Sequence, residues 1–182
     1  MILSVETDAI SLDAKLLVIG LRTPGDVKLW KLWDYADEQA MLNAFVDHFL
    51  GIQGDKIIIG YNILKFDVPL LLRKTAAHAR FAELFQRINS SNVIDLFTIL
   101  TFLNEGQLKS MDFYCERFSI PSLGPKRDEV AMLVKSDTPE SKERISTLVS
   151  LKLNVINDLF LKSWGRVRDG SFKPWERQGG SP

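Results

Sequence analysis

Residues 57–74, IIIGYNILKFDVPLLLRK, set an amide and a carboxylate, Asn62 and Asp67, between a short apolar run and a leucine-rich one. The pattern reads as a buried strand delivering both polar side chains to its carboxyl end, with a helix restarting at Val68-Pro69. A carboxylate in that place has two uses. It caps the helix through backbone N–H groups, or it serves as a hard oxygen ligand for an ion such as Mg²⁺. Near the start of the chain Ser4 and Glu6 lie two apart on an expected strand and so face the same side of it. Far along, Asn154 and Asp158 lie one turn apart on a long expected helix. Glu6, Asp67 and Asp158 are the carboxylates at these three places. A helix cap at Asp67 and a solvated helix face at Asp158 are the plain alternatives.

Positioning that trio takes several elements. The pattern predicts strands over 1–7, 15–21 and 27–33, the last two joined by a turn at 22–26. Asp37 caps an expected helix to about Leu50, with Met41, Leu42, Phe45, Val46 and Phe49 on one face. A strand over 56–59 follows, then helices over 68–78 and 81–88. Val93-Ile94 is a short strand flowing into a helix over 96–103, and Ser110 opens another to Phe118. Residues 121–125 read as a loop, and a long helix runs from about Glu140 to Trp164. Three strands, a helix, a strand and then mostly helices make an α/β order with a mixed sheet. The chain is expected to form a single domain over 1–164, with 165–182 as a flexible tail rich in glycine and proline.

Composition narrows the classes. With 182 residues and 46% hydrophobic content the chain suits one globular domain with a full core. Its 23 basic and 23 acidic residues leave no net charge, so nucleic-acid binding would need a local basic patch or a metal. The single cysteine, Cys115, excludes an intrachain disulfide. The start, MILSVETD, has no basic n-region of a signal peptide, and no apolar run reaches membrane-spanning length. The expectation is a soluble, cytoplasmic protein.

The form Asn62-x-x-x-Phe66-Asp67 resembles the second motif of the 3′–5′ exonucleases attached to family B DNA polymerases, members of the DEDD superfamily. The resemblance implies an RNase H-like fold, a mixed five-stranded sheet flanked by helices. It also implies metal-assisted phosphodiester hydrolysis, with Mg²⁺ or Mn²⁺ held by four carboxylates. Two of those come from an Asp-x-Glu on the first strand, one from the second motif, and one from a Tyr-x-x-x-Asp on a late helix. Thr7, Asn62 and Phe66 fall at substrate-binding positions. Here the first motif reads Ser4-Val5-Glu6-Thr7, so a neutral hydroxyl stands where the bridging Asp belongs. In the third, Asp158 takes the ligand position and Asn154 replaces the tyrosine. Val93-Ile94-Asp95-Leu96, and the segment 107–112 followed by Ile120-Pro121, resemble further parts of these nucleases, with Asp95 read as a helix cap.

Such losses imply a vestigial site of Glu6, Asp67 and Asp158, with little or no catalysis and no required metal. The fold would then persist as a binding subunit in DNA replication or repair. One version holds the end of a single DNA or RNA strand, with Lys65, Arg73, Lys74, Arg80 and the Lys126-Arg127 pair as phosphate contacts. The other docks a protein of the same assembly through Phe172 and Trp175 of the tail. The competing expectation is an active exonuclease that uses Glu6 and Asp8 as its metal pair.

Overall fold

The computed structural model describes residues 1–9, 11–54, 57–122 and 127–168. Five strands form one mixed sheet: β1 (Ile2–Thr7), β2 (Leu16–Thr23), β3 (Asp26–Lys31), β4 (Ile57–Gly60) and β5 (Asn92–Asp95). Their spatial order is β3-β2-β1-β4-β5, antiparallel among the first three and parallel from β1 to β5. The central strand β1 is buried throughout except at Glu6, which is half-buried. Its pairing with β2 shifts after Glu6, from Glu6↔Val18 to Thr7↔Leu16, so Leu17 is left over. Such a bulge re-aims the side chains that follow.

Helices cover both faces. On one side lie α1 (Glu38–Gly51), α2 (Asp67–Lys74) and α3 (Phe81–Asn89), packed on Leu3, Val5, Ile19 and Ile58. Asp37 caps α1 by accepting from the Ala40 N–H at 2.7 Å, and the expected face from Met41 to Phe49 is buried. On the other side lie α4 (Leu96–Leu103), α5 (Met111–Arg117), α6 (Arg127–Ser136) and α7 (Pro139–Arg168). There Ile2 and Ile59 meet Leu96, Leu100, Tyr114 and Ile156.

Several expectations change in detail. The edge strand β3 stops at Lys31, and Leu32–Asp34 form a 3₁₀ turn, so Trp33 is not a strand residue. Trp30 is fully buried, edge-on to Phe45 at 5.2 Å. Helix α2 ends at Lys74 rather than near His78. The expected sequence of elements had no counterpart to α6, whose Val130 is buried and which packs on α7. Helix α7 passes Trp164 and continues to Arg168. Phe172 and Trp175 lie outside the described residues.

Candidate functional site

The carboxyl ends of β1 and β4 open into a cleft of about 440 Å³, closed on its other sides by α5, α6 and α7. A crevice beyond the carboxyl ends of strands is where open α/β sheets place their ligands. Among its lining residues are Glu6, Thr7, Asn62, Phe66 and Asp67, the site residues expected from the first two motifs. Met111 and Asp112, from the 107–112 segment that resembles a further part of these nucleases, line it as well.

Asp67 is fixed by the core. It opens α2, but its Oδ1 accepts from the Val5 backbone N–H at 2.7 Å and so ties the helix start to the central strand. The carboxyl is 5% exposed, and burial pushes its pKa up to about 6. The Lys152 ammonium and the backbone N–H bonds oppose the rise, and Glu6 adds to it. Asn62 reaches its place by adopting left-handed backbone, φ 61°, which Asn tolerates better than most residues. Buried Asp95 holds that turn. Its Oδ1 accepts from the N–H of Asn62 at 2.9 Å and its Oδ2 from that of Leu64 at 3.2 Å. Oδ1 also caps α4 through the Phe97 N–H at 3.0 Å. Asp95 is thus the cap the sequence suggested, and it is also the clamp on the second motif. Thr7 donates its hydroxyl to Ala9 O at 2.6 Å.

Ser4 is 1% exposed, and its hydroxyl has no hydrogen-bond partner among the described residues. A shared strand face with Glu6 puts it beneath the cleft, where it adds no charge.

The third motif is where the structure departs most from expectation. Helix α7 runs antiparallel to β1. Val149 and Leu153 press on Gly20, which pairs with Ser4, while Asn154 reaches Arg22, which pairs with Ile2. Later residues of α7 therefore move away from the cleft. Asn154 is exposed, and its Oδ1 accepts from Arg22 Nη1 at 2.5 Å. Asp158 is exposed, does not line the cleft, and accepts from the Asn157 amide at 3.2 Å. The residues that α7 presents to the cleft are Leu148, Lys152 and Val155. The i, i+4 pair facing β1 is consequently Leu148 and Lys152, not Asn154 and Asp158. Lys152 Nζ lies 3.8 Å from Glu6 Oε2. No motif points to this lysine; it becomes visible only when the helix face is phased against β1.

A divalent ion does not suit this set of donors. Among the described residues no three His, Cys, Asp or Glu come together as a metal site, so Glu6, Asp67 and Asp158 are not gathered. An ammonium about 4 Å from a divalent ion would repel it by about 8 kcal/mol at an effective dielectric constant of about 20. Asp8 lines the cleft, but it follows the end of β1 and its Oδ1 accepts from the Lys15 N–H at 2.9 Å. Nor does Cys115 offer a nucleophile, since burial and then Asp112 push its thiol up to about 11.

The cations expected to track phosphates are engaged elsewhere. Arg73 pairs with Asp13, Lys74 with Glu38 at 2.8 Å, and Arg80 with Asp47 at 3.0 Å and Glu83 at 2.8 Å. Lys65 sits over the Phe97 ring, 5.7 Å from its centroid. Lys126 lies outside the described residues, and Arg127 is the first residue of α6.

The chain matches the family model for the exonuclease domain of DNA polymerase family B over residues 20–108. That stretch contains Asn62, Phe66 and Asp67, and excludes both β1 and α7. Among solved structures, a likeness is found to the family B DNA polymerase of the hyperthermophilic archaeon Pyrobaculum calidifontis, with a TM-score of 0.68 and 15% identity. It covers 88% of this chain and 24% of that one, so the chain spans about a quarter of the polymerase's length. The likeness is one of fold: an RNase H-like sheet with flanking helices. Among curated proteins no sequence matches.

Proposed function

The chain is related to the exonuclease domain of family B DNA polymerases, and from that relationship we propose a non-catalytic role. The exonuclease-like fold serves as an interaction module in DNA replication or repair, with its metal site lost. The observation that carries this reading is the donor set of the cleft. Glu6 and Asp67 line it, Ser4 brings only a neutral hydroxyl, and Asp158 faces away. Two-metal hydrolysis requires a carboxylate cage that holds both ions, and among the described residues no three of the cleft's carboxylates come together as one.

A protein contact is the favoured form of the role over capture of a strand end. Among the described residues, the cleft is edged by Glu6, Asp8, Asp67 and Asp112 against the single cation Lys152. Phosphates would meet an acidic rim there, while Arg73, Lys74 and Arg80 are already paired.

A nuclease assay on 3′- and 5′-labelled single strands, with Mg²⁺ and with Mn²⁺, tests the reading. Wild type is expected to leave both substrates intact. Digestion from the 3′ end that disappears in Glu6→Ala would overturn it. The site would then be an active one built on Glu6 and Asp8, and Asp8→Ala would be the deciding variant.

A further inference from the structure

Among the described residues, Lys152 is the one cation that lines the cleft. Its stem runs from the α7 face shared by Leu148 and Val155, and its ammonium stands 3.8 Å from Glu6 Oε2. The same positive charge acts on the buried carboxyl of Asp67. Glu6 comes from β1 and Asp67 from the start of α2, so the charge of a single α7 side chain pairs with Glu6 and is felt by Asp67, carboxylates delivered by two other elements. We infer that the Lys152 ammonium is the resident cation of the cleft, standing in for the divalent ion that Glu6 and Asp67 would otherwise share.

This deepens the non-catalytic reading and rests on it. A tethered ammonium is always present, whereas Mg²⁺ must arrive from solution and gives up its water shell reluctantly. Its charge also keeps a free cation out of the same space. Opposite charges within about 4–6 Å favour the charged form of a carboxyl, so the lysine does for Asp67 part of what a metal does in a ligand set. The cleft is thus refractory to divalent ions for a specific reason, and the reason can be removed by one substitution.

The test is Mn²⁺ binding, read from the paramagnetic resonance signal of free Mn²⁺ titrated with the protein. Four chains are compared: wild type, Lys152→Gln, Lys152→Asp and Lys152→Asp/Glu6→Gln. Lys142→Gln, at a half-buried lysine near the start of α7 that pairs with Asp137 at 2.9 Å, controls for the loss of any one positive charge. Circular dichroism confirms that each variant is folded. Wild type and Lys142→Gln are expected to leave the free-ion signal unchanged. Lys152→Gln should bind at least about tenfold more tightly than wild type, and Lys152→Asp more tightly still. Adding Glu6→Gln should abolish the gain. The inference is overturned if wild type binds Mn²⁺ as well as Lys152→Gln does, or if both Lys152 variants stay as blind to the ion as wild type. Its failure is separate from that of the function: a wild type that digests DNA sinks the function. A silent wild type whose Mn²⁺ binding ignores position 152 sinks the inference alone.

Discussion

Asp67 shows how one residue can hold a fold together and still be strained by it. Its carboxyl is buried, accepts the Val5 N–H and has its pKa pushed up to about 6, against an ordinary value of 3.8. The native state therefore binds a proton more tightly than the unfolded chain does. The stabilisation this gives is complete below pH 4 and is lost as the pH rises through about 6. A shift of about two units corresponds to about 3 kcal/mol. Asn in the same place keeps an acceptor for Val5 and carries no charge. Asp67→Asn is therefore expected to match wild type near pH 4 and to be more stable by about 2–3 kcal/mol at pH 8, in urea unfolding curves followed at both values. A variant less stable than wild type at pH 8 would mean that the Lys152 attraction outweighs the burial of the charge.

At the level of elements, the site depends on two fixings of different kinds. The loop between β4 and α2 is held by Asp95, whose buried carboxylate accepts from Asn62, Leu64 and Phe97. Hydrogen bonds to a charged acceptor are worth about 1.5–3 kcal/mol each, and a buried donor left unpaired costs a further penalty. Asp95→Ala is expected to lower stability by at least about 2 kcal/mol while Asp95→Asn loses less, with the urea midpoint as the readout. A change within about 0.5 kcal/mol would show that the turn holds itself. The second fixing is the seat of α7 on β2. A Cβ built on Gly20 would meet Val149 Cγ1 at 2.7 Å and Leu153 Cδ1 at 2.9 Å. Only glycine lets the helix come this close, and that contact sets which of its residues reach the cleft.

For the whole molecule, charge decides what can be held. The chain has 23 basic and 23 acidic residues. Arg73, Lys74 and Arg80 are paired with carboxylates. Individual surface pairs contribute little to stability, but each also lowers the field that a phosphate backbone would feel. Nucleic-acid affinity comes mainly from phosphate neutralisation and falls steeply with salt. Fluorescence anisotropy of a labelled single strand is therefore expected to show binding no tighter than about 10 µM at physiological salt. Sub-micromolar binding with a steep salt slope would put the strand-holding role ahead of the protein contact. Among the described residues no helix is long and apolar enough to cross a membrane.

What the sequence determined by itself is what short spacing encodes. The strand-to-helix joint at Asn62–Asp67, the Asp37, Asp95 and Ser110 caps and the buried face of α1 are all local patterns. Their residues lie within a few positions of one another, and they recur in the structure where the pattern put them. The matched family segment, 20–108, contains the intact motif for the same reason. Only the tertiary structure decided which residues of α7 complete the cleft. Within a helix the phase of each residue is legible, but its position along the sheet depends on packing against strands more than 100 residues earlier, here at Gly20. A motif matched by residue type alone chose Asp158; packing chose Lys152, six residues and roughly 9 Å earlier along the helix. Long-range pairing likewise gave Arg73, Lys74 and Arg80 the carboxylate partners Asp13, Glu38 and Asp47, which lie far from them in the chain; only the Arg80–Glu83 pair is local.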